Sequence, residues 1–129
     1  MAIRVVRLGS PRGKGEGTRI GTVRRPPRGV KKEDYSRLDF YDVWLPQLAP
    51  SEELLHWIRS EAMTDSRWKS FERRYLRELD APDSRRLLDL LAAFSKNTSF
   101  SIGCFCEDES RCHRSILREV LRKRGAEIR

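Results

Sequence analysis

The sequence has no apolar run near the roughly 18 residues that a membrane-spanning helix needs, which excludes a helical transmembrane protein. Its opening, MAIRVVRL, has neither the long apolar stretch nor the small-residue cleavage site of a secretory signal, so a cytoplasmic protein is expected. Cysteine is scarce. The three present are an odd number crowded between Cys104 and Cys112, which does not make a disulfide framework and leaves reduced thiols or a metal. Acid is nearly missing from the first quarter: residues 1–32 hold ten Lys or Arg against one carboxylate, Glu16. The rest of the chain holds 17 bases and 18 acids, so the net charge of +8 belongs entirely to that first segment. Such an excess attracts phosphates, nucleic acid or other anions, and it also keeps a protein in solution. A phosphate-binding P-loop is missing as well. Gly13-Lys14-Gly15-Glu16-Gly17 lacks both the four-residue spacer and the Gly-Lys-Ser/Thr ending on a helix, and reads as a mobile basic loop.

What is present is enough for one core without staples. A chain of 129 residues, 38% hydrophobic and 36% charged, fits a single domain spanning 1–129, with a basic strand-loop segment over 1–32 and a helical body over 33–129. Ile3 to Leu8 and Thr18 to Val23 read as strands, the second stopped by Arg24-Arg25-Pro26-Pro27 because proline ends both helix and central strand. Tyr41 to Leu45 is a short extended piece closed by Pro46. Ser51 caps a helix carrying Leu54, Leu55 and Ile58. A second helix starts near Asp65, with Trp68, Phe71, Tyr75 and Leu79 on one face, and Pro82 opens a third with Leu87, Leu88, Leu91 and Phe94 inward. Ser99 to Cys106 alternates like a strand, and Arg111 to Lys123 is a last helix ended by Gly125. Strands, a run of helices, then strand and helix again predict an α/β fold: a small, partly parallel sheet with about four helices packed over it.

Four blocks also carry a resemblance: RRPPRGVKKE at 24–33, VWLPQLAPSEELLHW at 43–57, WKSFERRYLREL at 68–79 and CFCEDESRCHRSILREVL at 104–121. In order and spacing the chain resembles the bacterial and archaeal domain-of-unknown-function family 488. The resemblance implies a shared fold and assigns no catalytic residue.

Candidate chemistry concentrates in the turn from Cys104 to Arg114. In open α/β sheets ligands bind beyond the carboxyl ends of the strands, where the following helix offers unpaired N–H groups. Arg111 and Arg114 add charge there. If the strand ending at Val23 runs parallel to this one, Arg24, Arg25 and Arg28 reach the same rim and complete a site for phosphate or carboxylate. The competing description is a turn that caps itself through its acid triplet, Glu107 to Glu109. Cys112, near a helix start and flanked by His113 and two arginines, has the surroundings of an activated thiol. Neighbouring helical residues point about 100° apart, however, and Cys112 and His113 each lie four before a core residue, so both can equally face the core. Cys104, Cys106, Cys112 and His113 make a Cys-x-Cys-x5-Cys-His set, four ligands being the right number for tetrahedral zinc. The first pair is tighter than the usual Cys-x2-Cys knuckle and the domain needs no staple, so no metal or other cofactor is assigned. Asp42 and Trp44, before a proline turn, are candidates for the cleft wall. Together these features predict an anionic-ligand-binding domain, possible as an enzyme through Cys112 and His113. The rival is a non-catalytic nucleic-acid-binding module tracking phosphates with the basic segment. No membrane partner is expected.

Overall fold

The computed structural model describes residues 2–106 and 108–129, and for Glu109 the backbone only. It contains β1 (Ile3–Arg7), β2 (Thr18–Gly21), β3 (Val43–Trp44), α1 (Glu52–Arg59), α2 (Asp65–Leu79), α3 (Pro82–Phe94), β4 (Phe100–Cys104) and α4 (His113–Lys123). The strands form one sheet in the order β1-β4-β2-β3, and every neighbouring pair is parallel, where the sequence predicts only partial parallelism. The basic strands β1 and β2 thus belong to the same sheet as β4 and are not a separate arm. Ile102 is in register with Val5 on one side and Ile20 on the other, and every residue of β4 is buried.

Period-two alternation decides what each face of the sheet meets. Phe100 and Ile102 of β4, with Ile3 and Ile20, pack into one apolar core with Leu54, Tyr75, Leu88 and Leu117 from the four helices. The predicted helix stripes are therefore core, except at Phe94, expected inward but 51% exposed at the last residue of α3, where the helix runs past the sheet-facing Leu88 and Leu91. Ser51 caps α1 by accepting from the Leu54 N–H at 3.1 Å, and Thr64 does the same for Arg67 at the start of α2. Tyr75 is fully buried, and its hydroxyl donates to the Leu48 carbonyl at 2.5 Å.

The opposite face carries no helix residue of this core. Its residues, Arg4, Arg19 and Ser101, meet the loop between β1 and β2. Arg19 and Glu16 are 0% and 3% exposed, and they pair through two hydrogen bonds of 2.7 and 3.0 Å. Glu16 also accepts from Ser101 Oγ and Gly13 N, while Arg19 Nη1 donates to the carbonyls of Ser10 and Asp39. Arg12 forks onto both oxygens of Asp42, at 2.8 and 2.9 Å, and Arg4 donates to the Lys14 carbonyl. The loop expected to be mobile and basic is thus tied to the sheet at four points, and Arg12 and Arg19 spend their charge within the fold. Beyond β1, the end of the chain covers the sheet edge, Ile3 N donating to Glu127 O and Arg129 N to Ile3 O. Among the described residues no helix is long and apolar enough to cross a membrane.

Candidate functional site: a thiol trio in an arginine-rimmed cleft

Because β2 and β4 are parallel neighbours, the chain leaves both at the same end of the sheet. There, a cleft of about 740 Å³ opens between the Val23–Arg28 segment, α1 and the Cys104–Cys106 turn. That is within the usual size of a small-molecule site. Its wall includes Arg24, Arg25 and Arg28, as the parallel arrangement requires, and also His56 and Arg59 of α1. A second hollow of about 520 Å³, between α2 and α4, is lined by Leu76, Ile116 and Val120 with Glu72, Glu119 and Lys123, and no thiol or histidine faces it.

The predicted arginines divide into distinct roles. Arg24 donates from Nε and Nη2 to the carbonyls of Pro50 and Ala49, both at 3.1 Å, fastening the cleft wall to the start of α1. Arg25 makes an exposed ion pair with Glu52 at 2.5 Å, of a kind worth at most about 1 kcal/mol and readily exchanged for another anion. Arg28 and Arg59 are exposed and form neither hydrogen bond nor ion pair among the described residues. Arg111 turns away from the cleft onto Asp65, 2.5 Å, with its guanidinium 5.8 Å from the Trp68 ring centre. Arg114 is buried behind the turn and donates to the Cys106 carbonyl at 2.7 Å. Asp42 and Trp44 do not line the cleft either: Asp42 holds Arg12, and the Trp44 indole N–H donates to the Val23 carbonyl at 2.7 Å. Of the acid triplet, Glu107 and the Glu109 side chain lie outside the described residues. Asp108 accepts from Ser110 N and Oγ and so closes the short turn before α4, not α4 itself.

Cys104 and Cys106 line the base of the cleft, with the buried Cys112 behind them, and the three sulfurs lie within 4.8 Å of one another. Cys104 and Cys106 come from the end of β4. Cys112 reaches them because it is the cap of α4 and has an extended backbone (φ −126°, ψ 149°). The same conformation places Cys112 Sγ 3.8 Å from His113 Nδ1, a contact that two residues both inside a helix would not make. His113 is buried, and its Nε2 lies 2.6 Å from the Thr22 carbonyl. A carbonyl can only accept, so Nε2 carries the proton and Nδ1 presents its lone pair toward the sulfurs. Burial outweighs the Thr22 bond and pulls the imidazole down to about 4, so it is neutral at pH 7.

The thiols are unequal. Cys104 and Cys112 are buried among Leu8, Val23 and Tyr41, while Cys106 is exposed. Hydrogen bonds from Cys104 and Cys112, helped by the nearby Arg114 guanidinium, hold Cys106 well below the ordinary thiol range despite partial burial. Cys104 moves the opposite way, through its bonds to Cys106 and Cys112 and its burial. The Cys104 bond lowers Cys112, but its bond to Cys106 and burial outweigh that and push it up to about 11. The sulfur that the sequence singled out, Cys112, is thus a shielded thiol, and the exposed one at the cleft is Cys106. Iodoacetamide on the folded, metal-free protein is expected to modify Cys106, with Cys104 and Cys112 reacting only after denaturation, as peptide mass mapping will show. Arg59 was not among the predicted residues, and His56 was set aside as a surface side chain. Both sit in the last turn of α1, and it is the packing of that helix beside the Val23–Arg28 segment, not a local motif, that brings them to the cleft.

Comparison with curated proteins and with solved structures returned no match. The family-model comparison is specific: residues 3–125, nearly the whole chain and all the elements of this site, match the model described as the active DUF488-N3 subclade. The protein therefore belongs to the DUF488 family, within its DUF488-N3a subclade.

Proposed function

We propose that the protein binds a phosphorylated small molecule in the cleft at the carboxyl ends of β2 and β4. The observation that carries this is the pair of unpartnered guanidiniums, Arg28 and Arg59, on the wall of one cleft whose base holds Cys106 and His113. Two arginines without carboxylate partners on a concave wall offer forked donors to an anion, and Arg25 adds a third cation once it leaves Glu52. The cleft is closed by apolar side chains, Val23, Phe40 and Leu55, which suits a ligand with a flat or carbon-rich portion beside its charge.

The nucleic-acid alternative has less support. It relies on the basic segment, and within that segment Arg12 and Arg19 are neutralised by Asp39, Asp42 and Glu16 while Arg24 is held by carbonyls.

Calorimetric titration of metal-free protein with inorganic phosphate, pyrophosphate and a nucleoside monophosphate tests the proposal. At least one is expected to bind, and Arg28→Ala and Arg59→Ala are each expected to weaken it about tenfold, the scale of a lost charge-assisted bond. Both positions are exposed, so the variants should fold like the parent. No heat with any of the three, or affinity indifferent to both substitutions, overturns the proposal. Binding of duplex or single-stranded nucleic acid that falls steeply with salt would instead select the module alternative.

A further inference from the structure

The thiol trio has a second use that does not depend on a phosphorylated ligand. We propose that Cys104, Cys106 and Cys112 form a three-sulfur site for a zinc-class divalent ion, with the ion's remaining coordination position directed into the cleft.

Geometry is the first support. Thiolates around a tetrahedral zinc sit about 2.3 Å from the ion and so about 3.8 Å from one another. The three sulfurs already lie within 4.8 Å of each other. Closing onto an ion thus takes shifts of about 1 Å, on the scale of side-chain torsion adjustments. The tight Cys-x-Cys spacing, an obstacle to a knuckle that wraps an ion with one turn, is no obstacle here. Strand alternation and the bend at Phe105 bring Cys104 and Cys106 to one side, and the third ligand arrives from the cap of α4.

Surroundings are the second support. Leu8, Val23, Tyr41 and Phe105 close the trio on its inner side, whereas Cys106 is exposed and borders the cleft. A centre closed on every side is structural in type; one with three protein ligands and an open face is the arrangement of reactive zinc sites. Three thiolates and a divalent ion sum to one negative charge, and a cation is in place to balance it. Arg114, 4% exposed, donates to the Cys106 carbonyl, and its Nε has no hydrogen-bond partner among the described residues. A buried guanidinium with an unspent donor behind a sulfur cluster is costly without an anion nearby, and a metal–thiolate centre supplies one.

The full chain, reduced, desalted and kept free of oxygen, is titrated with cobalt(II) alone and then with zinc(II). Expected are a thiolate-to-cobalt charge-transfer absorption that saturates at one ion per chain and its loss on adding zinc. Cys106→Ser, at an exposed position, is expected to weaken cobalt binding at least about tenfold. Since the buried variants can fail to fold, a second measurement uses the parent protein: bound zinc is expected to protect Cys106 from iodoacetamide. Absence of the absorption in protein whose thiols are counted as reduced overturns the proposal, as does an unchanged absorption in Cys106→Ser or unprotected Cys106 at saturating zinc. The phosphate titrations above use metal-free protein, so either proposal can fail without the other.

Discussion

Replacing Arg19 with alanine is expected to cost about 3–5 kcal/mol of folding stability, the largest effect of any single charge removal in this protein. The reason lies in what is left behind. Arg19 is fully buried and, among the described residues, is the sole cationic partner of Glu16, which is itself 3% exposed. Truncation strands a carboxylate under the sheet and removes the side-chain donor of the Ser10 and Asp39 carbonyls, Asp39 keeping the Gly9 N–H. Against a typical total of about 5–15 kcal/mol, this is enough to leave much of the protein unfolded at moderate temperature. Urea denaturation of both proteins gives the difference directly, and a cost below about 1 kcal/mol would show that the pair is dispensable. Removing both charges, in Glu16→Gln with Arg19→Met, should recover part of the loss, because no orphan ion remains.

The same pair sets an acid limit. Burial alone would raise Glu16, but hydrogen bonds from Arg19, Ser101 and the Gly13 N–H outweigh it and hold the carboxyl at about 2, below its ordinary 4.5. A depressed carboxylate contributes stability that is complete above pH 4.5 and disappears as the pH falls from 4.5 toward 2; for a shift of this size the contribution is about 3 kcal/mol. Asp42, held at about 2 chiefly by Arg12 against its own desolvation, acts in the same window and the same direction, though it is more exposed. Stability of the parent protein measured between pH 5 and pH 2 should therefore fall more steeply than that of Glu16→Gln.

Gly17→Ala is expected to destabilise the protein by more than about 3 kcal/mol, for backbone reasons. Gly17 has φ +79°, a left-handed conformation that costs an L residue about 1–2 kcal/mol, and a Cβ there would fall 2.0 Å from the Ser99 carbonyl oxygen. That oxygen belongs to the backbone entering β4, so relief requires moving the central strand. Gly29 supplies the control. It has φ +71° but no atom within 4 Å of an added Cβ, so Gly29→Ala should lose only the conformational part, about 1 kcal/mol. Thermal melts of the two variants separate close approach from dihedral preference, and equal losses would show that the Ser99 contact yields easily.

The helices and most strand ends were legible in the sequence because each depends on local chemistry. Ser51 and Pro82 mark helix starts, Gly125 a helix end, and the Trp68-Phe71-Tyr75-Leu79 stripe has a clear period. The family resemblance was legible on the same blocks. What local chemistry does not encode is partnership at long range. Nothing in Ile3 to Arg7 announces Phe100 to Cys104 as its neighbour, and a two-residue strand such as Val43–Trp44 has too little pattern to stand out. Charge shows the gap between chain order and fold most plainly. Counted along the chain, Arg12 and Arg19 belong to a basic tail suited to nucleic acid; placed in the fold, they are internal fastenings. The thiols show the same limit. Its neighbours at a helix start made Cys112 the conspicuous sulfur, yet its extended cap conformation turns it inward and leaves Cys106 at the surface.

The position of β4 between β1 and β2 also governs when the molecule can take shape during synthesis. Both N-terminal strands are made early, yet β1 has no neighbouring strand, and β2 only the two-residue β3, until Phe100 to Cys104 have left the ribosome, with three helices made in between. The sheet therefore closes late, by insertion of a middle strand between two waiting ones, and its pairings are among the most distant in the chain. Folds assembled from such distant pairings gain their native contacts slowly, and exposed strand edges in the interim favour association with other chains. The arginines and lysines interleaved in this first segment, Arg4 and Arg7 in β1 and Arg19 in β2, give the nascent chain mutual repulsion during that wait.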